Sequence, residues 1–311
     1  MNIVISLNKD YGITSHDAVT AVKNLLKVRK AGHAGTLDPI ATGLLLVCTN
    51  EATKISPFLS GLDKEYIVTM KLGESTDTYD SEGKVTKKFE ISNLKFKIED
   101  VKKIIQRFTG EIEQIPPMYS AIKVSGKPLY KLARAGVEVE RKPRKVTIND
   151  IEIAAFEPPF LTIKVSCSKG TYMRSLCNDI GEALGAGAHM TGLIRTRIGN
   201  FTIENSAKIN ELPGKASAMF SMDDALNHLP EIKLEGDDLK RAKNGNPVKI
   251  EQKSGSAEEQ KCGRAEAKDF QTSELPDLRT CFIRLKDPDG RLLGIGKVAR
   301  DLIKIERLIK I

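Results

Sequence analysis

The sequence contains few of the residues from which disulfide frameworks and metal sites are built. Five cysteines are present in 311 residues, an odd number with no Cys-x-x-Cys pair. Three of them (Cys48, Cys167 and Cys177) lie in apolar patterns typical of small core residues. The four histidines are scattered and have no cysteine or carboxylate neighbours at ligand spacing. We therefore expect neither an oxidising compartment nor a metal site.

Long apolar runs and secretion signals are also missing. No apolar stretch approaches the length that is needed to span a membrane. The N-terminal residues 1–6 have no cationic region before their short apolar stretch, which argues against a signal peptide. The sequence therefore predicts a cytoplasmic protein with no membrane partner.

Several common catalytic and cofactor motifs are absent as well. The chain has neither a Gly-x-x-x-x-Gly-Lys-Ser/Thr phosphate loop nor a Gly-x-Ser-x-Gly nucleophile elbow. The segment from Gly185 to Met190 has two glycines of a dinucleotide fingerprint and lacks the third. We therefore expect no cofactor. A redox-neutral rearrangement that loses no group requires none of these motifs.

The charge of the chain favours an anionic partner. Lysine and arginine total 49 against 41 acidic residues, giving a net charge of +8 and an isoelectric point near 9.1. Between Tyr119 and Asn149, eight basic residues stand against two acids, a local charge of +6. Mixed-sign charge would serve solubility equally well, so this basic segment predicts a surface that follows phosphates. The chain is long enough for two domains.

Residues 32–43 form the most informative pattern. They include three glycines, one proline and two threonines around a single acid, Asp38, and an apolar run, Leu44–Cys48, follows them. This pattern predicts a tight loop anchored by a buried strand, a common way to present a reactive carboxylate. Composition alone favours a structural turn in which Asp38 bonds its own backbone.

Periodicity indicates helices and strands that do not alternate regularly, so an α+β fold is predicted rather than a doubly wound sheet. A Thr14 cap with Asp17 three residues later begins one of the helices. That helix is predicted to run through about Val28. Two apolar segments around Asp287–Gly290 predict a hairpin near the C-terminus. The other predicted elements are helices over 98–108 and 173–184, and strands over 66–72 and 161–167.

The order of residues in several segments closely resembles the bacterial tRNA pseudouridine-55 synthases. The longest match is to the catalytic-aspartate motif of that family, Gly32-His33-Ala34-Gly35-Thr36-Leu37-Asp38-Pro39 with Ala41-Thr42-Gly43. Asp10 replaces a usual proline, and Ile194 stands where a second arginine is usual. The other matching segments are Lys9 with Gly12-Ile13-Thr14-Ser15, Lys64-Glu65-Tyr66, Thr76-Asp77-Thr78-Tyr79-Asp80, Pro116-Pro117-Met118-Tyr119-Ser120, Ser168-Lys169-Gly170-Thr171-Tyr172-Met173-Arg174 and His189-Met190-Thr191-Gly192-Leu193.

The resemblance implies an isomerase without cofactor that converts the uridine at position 55, in the T-loop of tRNA, to pseudouridine. It assigns catalysis to Asp38, Tyr66 and Arg174. Asp38 would act as an ionised carboxylate, Arg174 would hold it in a bidentate pair, and Tyr66 would pack against the flipped uracil. Three roles stay open for the aspartate: attack on the sugar, attack on the base, or removal of a sugar proton.

The same resemblance implies a set of residues that bind the substrate RNA. His33 would fill the gap that the flipped base leaves, and Leu193 would form a water-excluding wall of the pocket. By themselves, a lone histidine, a strand tyrosine and an arginine off the apolar stripe of its helix are equally compatible with structural roles. The predicted RNA-binding residues are His33, Lys9, Asp80, Tyr172, Leu193, Lys123 and Arg144.

The family fold is a mixed, largely antiparallel sheet in an α+β catalytic domain, often followed by a small β-rich RNA-binding domain of the PUA type. We expect the catalytic domain at residues 1–229, with its basic segment near 119–149. The PUA-like domain is expected at residues 230–311, interrupted by a disordered insertion near 251–280. A monomer is expected, because the sequence has no heptad seam.

Two other functions are compatible with the sequence. The first is a pseudouridine synthase that acts on a different RNA or position. The second is an RNA-binding folding factor whose catalysis is incidental or lost. The presence of Asp38, Tyr66 and Arg174 argues against lost catalysis, although a folding role alongside catalysis is compatible with them.

Overall fold

The structure of the chain is a computed structural model that describes residues 1–90, 97–120, 122–124, 126–137, 139–249, 282–299 and 301–309. The insertion predicted near residues 251–280 lies outside the described residues, as do Cys262 and Cys281. Within the described ranges, no helix combines the length and the apolar character that crossing a membrane requires.

The first helix, α1 (Ser15–Leu25), begins at the predicted cap. The Thr14 hydroxyl accepts a hydrogen bond from the Asp17 N–H at 3.1 Å, and the Asp17 carboxylate accepts one from the Thr14 N–H at 3.1 Å. The helix ends a turn before Val28, where its apolar stripe ends. The other α-helices in the described ranges are α2 (Ser56–Ser60), α3 (Ile98–Gln106), α4 (Leu129–Arg134), α5 (Met173–Ala183), α6 (Met222–Ala225) and α7 (Gly236–Lys243).

Strands dominate the rest of the described chain. Short 3-10 helices at Asn50–Lys54, Ile209–Gly214 and Ala216–Ala218 connect some of them. The strands are β1 (Ile3–Lys9), β2 (Ala31–His33), β3 (Ala41–Thr49), β4 (Lys64–Leu72), β5 (Glu74–Thr76), β6 (Val85–Lys88), β7 (Gly110–Gln114), β8 (Lys123–Val124), β9 (Lys127–Pro128), β10 (Arg144–Glu157), β11 (Phe160–Cys167), β12 (Ala188–Ile198), β13 (Phe201–Thr202), β14 (Met219–Ser221), β15 (Glu231–Lys233), β16 (Val248–Lys249), β17 (Phe282–Lys286), β18 (Leu292–Ala299) and β19 (Leu302–Leu308).

Ten of these strands form one sheet. Its path runs β14-β1-β3-β12-β4-β11-β10-β7, with β2 beside β3 and β13 beside β12. The neighbouring strands of this sheet are antiparallel except β3 and β12, which run parallel with Ala41 beside Leu193. The mixed, largely antiparallel sheet and the α+β class predicted from the sequence are thus confirmed.

The main core lies between one face of this sheet and the helices α1, α3 and α5. Along β4 every second residue is buried, so Tyr66, Val68 and Met70 face the core. From α5, Met173, Leu176 and Ile180 pack into the same cluster. Because α1 and α5 both cover this face, their N-terminal ends lie close to the strand ends that carry the candidate site.

A second sheet of five strands, in the order β15-β17-β18-β19-β16, holds the C-terminal residues. The predicted hairpin is present, since β17 and β18 pair as neighbours around the Asp287–Gly290 turn. Phe282 of this sheet packs edge-on against Phe58 with ring centroids 4.9 Å apart. Asp223 of α6 pairs with Arg284 at 2.8 Å and with Lys286 at 2.9 Å. The C-terminal sheet is therefore fixed to the main sheet by apolar and ionic contacts.

Candidate active site

The loop that presents Asp38 is shorter than its composition predicts. Gly32 and His33 belong to β2, and Ala41–Gly43 already belong to β3, so residues 34–40 form the loop. Leu37 is buried. Its N–H donates to the Ser15 hydroxyl at 2.8 Å, and its carbonyl accepts from the same hydroxyl at 2.9 Å. The N-terminal end of α1 thereby fixes the residue immediately before Asp38.

The Asp38 carboxylate forms a bidentate ion pair with Arg174. Arg174 Nε lies 3.0 Å from Asp38 Oδ2, and Nη2 donates to Oδ1 at 3.2 Å. The arginine side chain is only 6% exposed, whereas that of Asp38 is 36% exposed. The guanidinium is therefore enclosed by protein, and the carboxylate opens on one side to the cleft.

Arg174 reaches this position because the start of α5 is fixed. Tyr172, the residue before the helix, exchanges two hydrogen bonds with the buried Gln114 side chain, at 2.7 and 3.0 Å. The Ser175 hydroxyl donates to the Ile115 carbonyl at 2.9 Å. Arg174 lies off the apolar stripe of α5 and is nevertheless buried.

A second carboxylate, Asp80, lies on the other side of Arg174. Asp80 Oδ2 is 3.3 Å from Arg174 Nη1, and its side chain is 5% exposed. Thr78 Oγ1 donates to Asp80 Oδ1 at 2.5 Å, and the Tyr119 carbonyl accepts from Arg174 Nη2 at 2.8 Å. One guanidinium is thus shared between two carboxylates and a carbonyl, and its charge strengthens each of these hydrogen bonds.

Burial raises the pKa of Asp38, and the negative charge of Asp80 raises it further. The Arg174 guanidinium opposes burial most strongly, and Lys9 adds a smaller opposing contribution. An aspartate whose pKa is shifted by burial and by specific charged neighbours inside a cleft is typical of functional sites.

Lys9 has a different role from the predicted one. It is fully buried, and its ammonium donates to the carbonyls of Asp10 at 2.9 Å, Ile13 at 2.8 Å and Pro39 at 3.4 Å. Burial lowers the pKa of this lysine. The predicted phosphate contact by Lys9 was wrong, because the side chain points into the protein, where it ties the β1–α1 turn to the Asp38 loop.

Arg195 is a site residue that the sequence prediction missed. It is 1% exposed and lies on β12 beside Tyr66. Its guanidinium donates to the Leu44 carbonyl at 2.7 Å and to the Gly35 carbonyl at 3.1 Å, so it ties the start of the loop to β3. Burial, with a contribution from Arg195, lowers the pKa of Lys64 to about 8. Arg195 stands two residues after Leu193, so the alternation of the strand places both side chains on the same face.

Tyr66 and Leu193 are almost completely buried beside the Asp38 loop. Tyr66 on β4 is 7% exposed, and burial raises the pKa of its hydroxyl, while the neighbouring Arg195 opposes the shift. Leu193 on β12 is 8% exposed and lies beside Val68 of β4. Because Leu193 also pairs with Ala41, it adjoins the C-terminal end of the Asp38 loop.

The remaining predicted residues with described side chains are more exposed. His33 is half-buried on β2; burial, followed by Arg195, lowers its pKa, and its Nδ1 has no hydrogen-bond partner among the described residues. Tyr172 is half-buried at the start of α5, and Arg144 is exposed at the start of β10. The side chain of Lys123 lies outside the part of the chain that the structure describes.

Comparisons with known proteins identify the family. Residues 23–173 match the N-terminal domain of the TruB family pseudouridylate synthases, and residues 174–229 match the C-terminal domain of tRNA pseudouridylate synthase B. The chain belongs to the TruB family of pseudouridylate synthases. It is accordingly an isomerase.

Relatives of similar length support this membership. The tRNA pseudouridine synthase B of Cupriavidus metallidurans is 39% identical over 99% of this chain and 94% of its own length. The protein of the same name from Dechloromonas aromatica is 46% identical over 79% of this chain and 83% of its own.

Solved structures share the fold of this TruB family member. A chain of a Cbf5-Nop10-Gar1 complex has a TM-score of 0.70 and 24% identity, covering 98% of this chain and 84% of its own length. A chain of an H/ACA ribonucleoprotein bound to a substrate RNA containing 2'-deoxyuridine has a TM-score of 0.69 and 23% identity. The match covers 99% of this chain and 85% of that chain. At this level of identity the likeness concerns the fold alone.

The backbone of Gly43, near the junction of the Asp38 loop and β3, leads to a stability prediction. Gly43 has a φ of +94°, and a Cβ there would lie 2.5 Å from the Arg195 carbonyl oxygen. We expect Gly43→Ala to lower the free energy of unfolding by roughly 2–4 kcal/mol, measured by urea denaturation.

Gly32→Ala is the matched control, because a Cβ at that position has no neighbour within 4 Å. We expect it to change the free energy of unfolding by less than about 0.5 kcal/mol. Equal stabilities of the two variants would contradict the assigned backbone contact.

Proposed function

We propose that this TruB family member converts the uridine at position 55, in the T-loop of tRNA, to pseudouridine. The observation that carries the proposal is the Asp38–Arg174 ion pair, 3.0 Å long, at the tip of the glycine-rich loop. The names of the curated relatives, tRNA pseudouridine synthase B, support tRNA as the substrate. The family motifs outside the aspartate loop favour the T-loop as the site of action.

The reaction breaks the glycosidic bond between the sugar C1' and N1 of uracil and forms a bond from C1' to C5. The hydrogen on C5 is lost and N1 gains one, so the isomerisation is balanced without an oxidant or a second substrate. Asp38 acts while ionised, as a nucleophile towards the sugar or the base or as a base towards a sugar proton. In each case Arg174 holds both carboxylate oxygens in a fixed orientation.

The uracil must leave the stack and turn over while it is detached from the sugar. Extruding a base costs about a few kcal/mol. The Tyr66 ring provides an apolar surface over which a flat base turns, and Leu193 excludes water from the detached intermediate. Because the pKa of Tyr66 is raised, its hydroxyl stays protonated at neutral pH and is available for proton transfer.

His33 would occupy the gap in the RNA that the flipped base leaves. It lies on β2 at the entrance to the catalytic loop. Burial and the Arg195 cation lower its pKa, so the imidazole is neutral at pH 7 and suited to stacking between bases.

The larger RNA surface comprises the basic segment 119–149 and the C-terminal sheet. Arg144 is exposed near Tyr172 and is positioned to contact phosphate, and we assign Lys123 to the same role. We divide the chain into a catalytic domain, residues 1–229, and a PUA-like domain, residues 230–311. The position of β12 between β3 and β4 supports keeping residues 174–229 in the catalytic domain. We propose that the protein acts as a monomer in the cytoplasm.

The function is tested by incubating the purified chain with an unmodified tRNA transcript and mapping pseudouridine. We expect conversion at position 55 by the wild type and a loss of roughly 1,000-fold or more with Asp38→Asn, because a neutral amide neither attacks nor accepts a proton. Ribosomal RNA fragments serve as competing substrates.

Conversion of ribosomal fragments in preference to the T-arm would favour a synthase with another target. An inactive wild type that still binds tRNA would favour an RNA-binding folding factor. Asp38→Asn turnover equal to that of the wild type would refute the assigned mechanism.

Arg174→Lys tests the bidentate pair. A lysine ammonium cannot contact both Asp38 oxygens, Asp80 and the Tyr119 carbonyl from one position. We expect single-turnover conversion to fall by on the order of 100-fold while the binding of tRNA changes little. A lysine variant with near-normal turnover would contradict the role assigned to the guanidinium.

The charges around Asp38 also predict the pH dependence of the reaction. Because Asp38 acts while ionised and its pKa is raised, the rate of single-turnover conversion should rise with pH through an acid limb at higher pH than an ordinary aspartate would give. Asp80→Asn removes a negative charge that raises the pKa of Asp38. The acid limb of this variant should move to lower pH, even though the rate falls because Arg174 loses a charged partner.

Asp77→Asn is the control for that shift. It makes the same charge change three residues away, where the side chain accepts from the Lys84 N–H at 2.8 Å and not from Arg174. The acid limb should stay in place with Asp77→Asn. Movement of the Asp80→Asn limb to higher pH would contradict the electrostatic assignment.

A further inference from the structure

Tyr11, in the turn between β1 and α1, is the most exposed of the large apolar and aromatic side chains in the described ranges, at 67%. It lies in the segment Lys9-Asp10-Tyr11-Gly12, at a position to which neither the family resemblance nor the mechanism assigns a role. An aromatic ring in water next to a catalytic loop has apolar surface available for binding a partner.

The turn that carries Tyr11 is rigidly attached to that loop. The Gly12 N–H donates to the Pro39 carbonyl at 2.9 Å, and Pro39 directly follows Asp38. The Lys9 ammonium bonds the carbonyls of Asp10 and Ile13, which lie on either side of Tyr11. Since the backbone is already ordered, the ring makes contacts at little additional entropic cost.

The charges of this turn are compatible with RNA. Asp10 is its only acid and would by itself repel phosphate, but its carboxylate pairs with the Lys208 ammonium at 3.0 Å. Asp10 also stands where the family usually has proline, and the contacts of Lys9 and Lys208 hold the turn in place of that ring. The resulting surface is a neutral, rigid turn with one projecting aromatic ring.

We propose that Tyr11 stacks on a nucleobase of the substrate RNA beside the uridine that enters the Asp38 cleft. This proposal rests on the function proposed above. A ring that stacks without hydrogen-bond readout accepts any base, so Tyr11 contributes to affinity and to the position of the RNA, and not to the chemical step. Tyr11 is thus a positioning residue.

The chain contains no tryptophan, which provides a direct test. Tyr11→Trp introduces a single tryptophan at the proposed contact, and we expect its fluorescence to be quenched when a T-arm stem-loop RNA is added, with turnover preserved. Phe160→Trp is the matched control, since Phe160 is 44% exposed in the β10–β11 hairpin, roughly 17 Å along β11 from the partner of Tyr66. Its fluorescence should not change.

Tyr11→Ala gives the energetic readout. We expect the KM for the stem-loop to rise by about tenfold, with kcat within about twofold of the wild type and an unchanged salt dependence of binding. Tyr11→Phe should restore the KM, because the ring is retained. Phe160→Ala should have the KM of the wild type.

The inference is wrong if Tyr11→Ala binds the stem-loop as tightly as the wild type, or if Tyr11→Trp fluorescence stays unchanged while the RNA is bound and converted. A wild type that converts no tRNA would instead contradict the proposed function. Quenching of Tyr11→Trp by RNA in that case would retain the stacking contact in an RNA-binding protein.

Discussion

A guanidinium buried between two carboxylates determines how the rest of the site is built. Arg174 is removed from water on nearly all sides, and a buried cation is stable only where charged and polar partners replace its hydration. Those partners come from three distant parts of the sequence: Asp38 after β2, Asp80 after β5, and the Tyr119 carbonyl after β7. The same charge that orients Asp38 therefore also holds the three segments together, so a change in any of them is expected to reach the carboxylate.

The other cations below the loop act differently from Arg174, because they bond carbonyls and not carboxylates. Arg195 ties the start of the loop to β3, and Lys9 holds the neighbouring turn. Their charges remain without a carboxylate partner at hydrogen-bond distance in the described ranges, and Lys9 shifts the pKa of Asp38 downwards against the effect of burial. The rigid loop and its electrostatic environment thus have the same origin, which is how a reactive group is held ready before the substrate binds.

Local patterns were sufficient to predict the elements and the fold class. The Thr14 cap, the alternation along β4 and the turn residues at 287–290 each contain their own structural information, because capping, pleating and turn formation depend on neighbours in sequence. The motif order also predicted that Asp38 and Arg174 pair, and the structure contains that ion pair. The burial of Lys9 and the loop contacts of Arg195 were not predictable from local pattern or motif order. A lysine beside a loop looks the same in sequence whether it faces solvent or carbonyls, and only the parallel pairing of β3 with β12 brings Arg195 under the loop.

The residues assigned to the reaction are buried, whereas those assigned to RNA binding are more exposed. Arg174, Asp80 and Tyr66 are almost completely buried, which excludes water and fixes their geometry. Such residues have little surface left with which to bind folded RNA, and flipping a base costs about a few kcal/mol before any of them is reached. Binding energy for that step must come from groups that contact the RNA outside the pocket. In the function proposed above, the exposed Tyr11 ring would contact a base, the neutral His33 imidazole would fill the gap, and the exposed Arg144 cation would contact a phosphate. These side chains differ in kind because the parts of a nucleotide that they would contact differ in the same way.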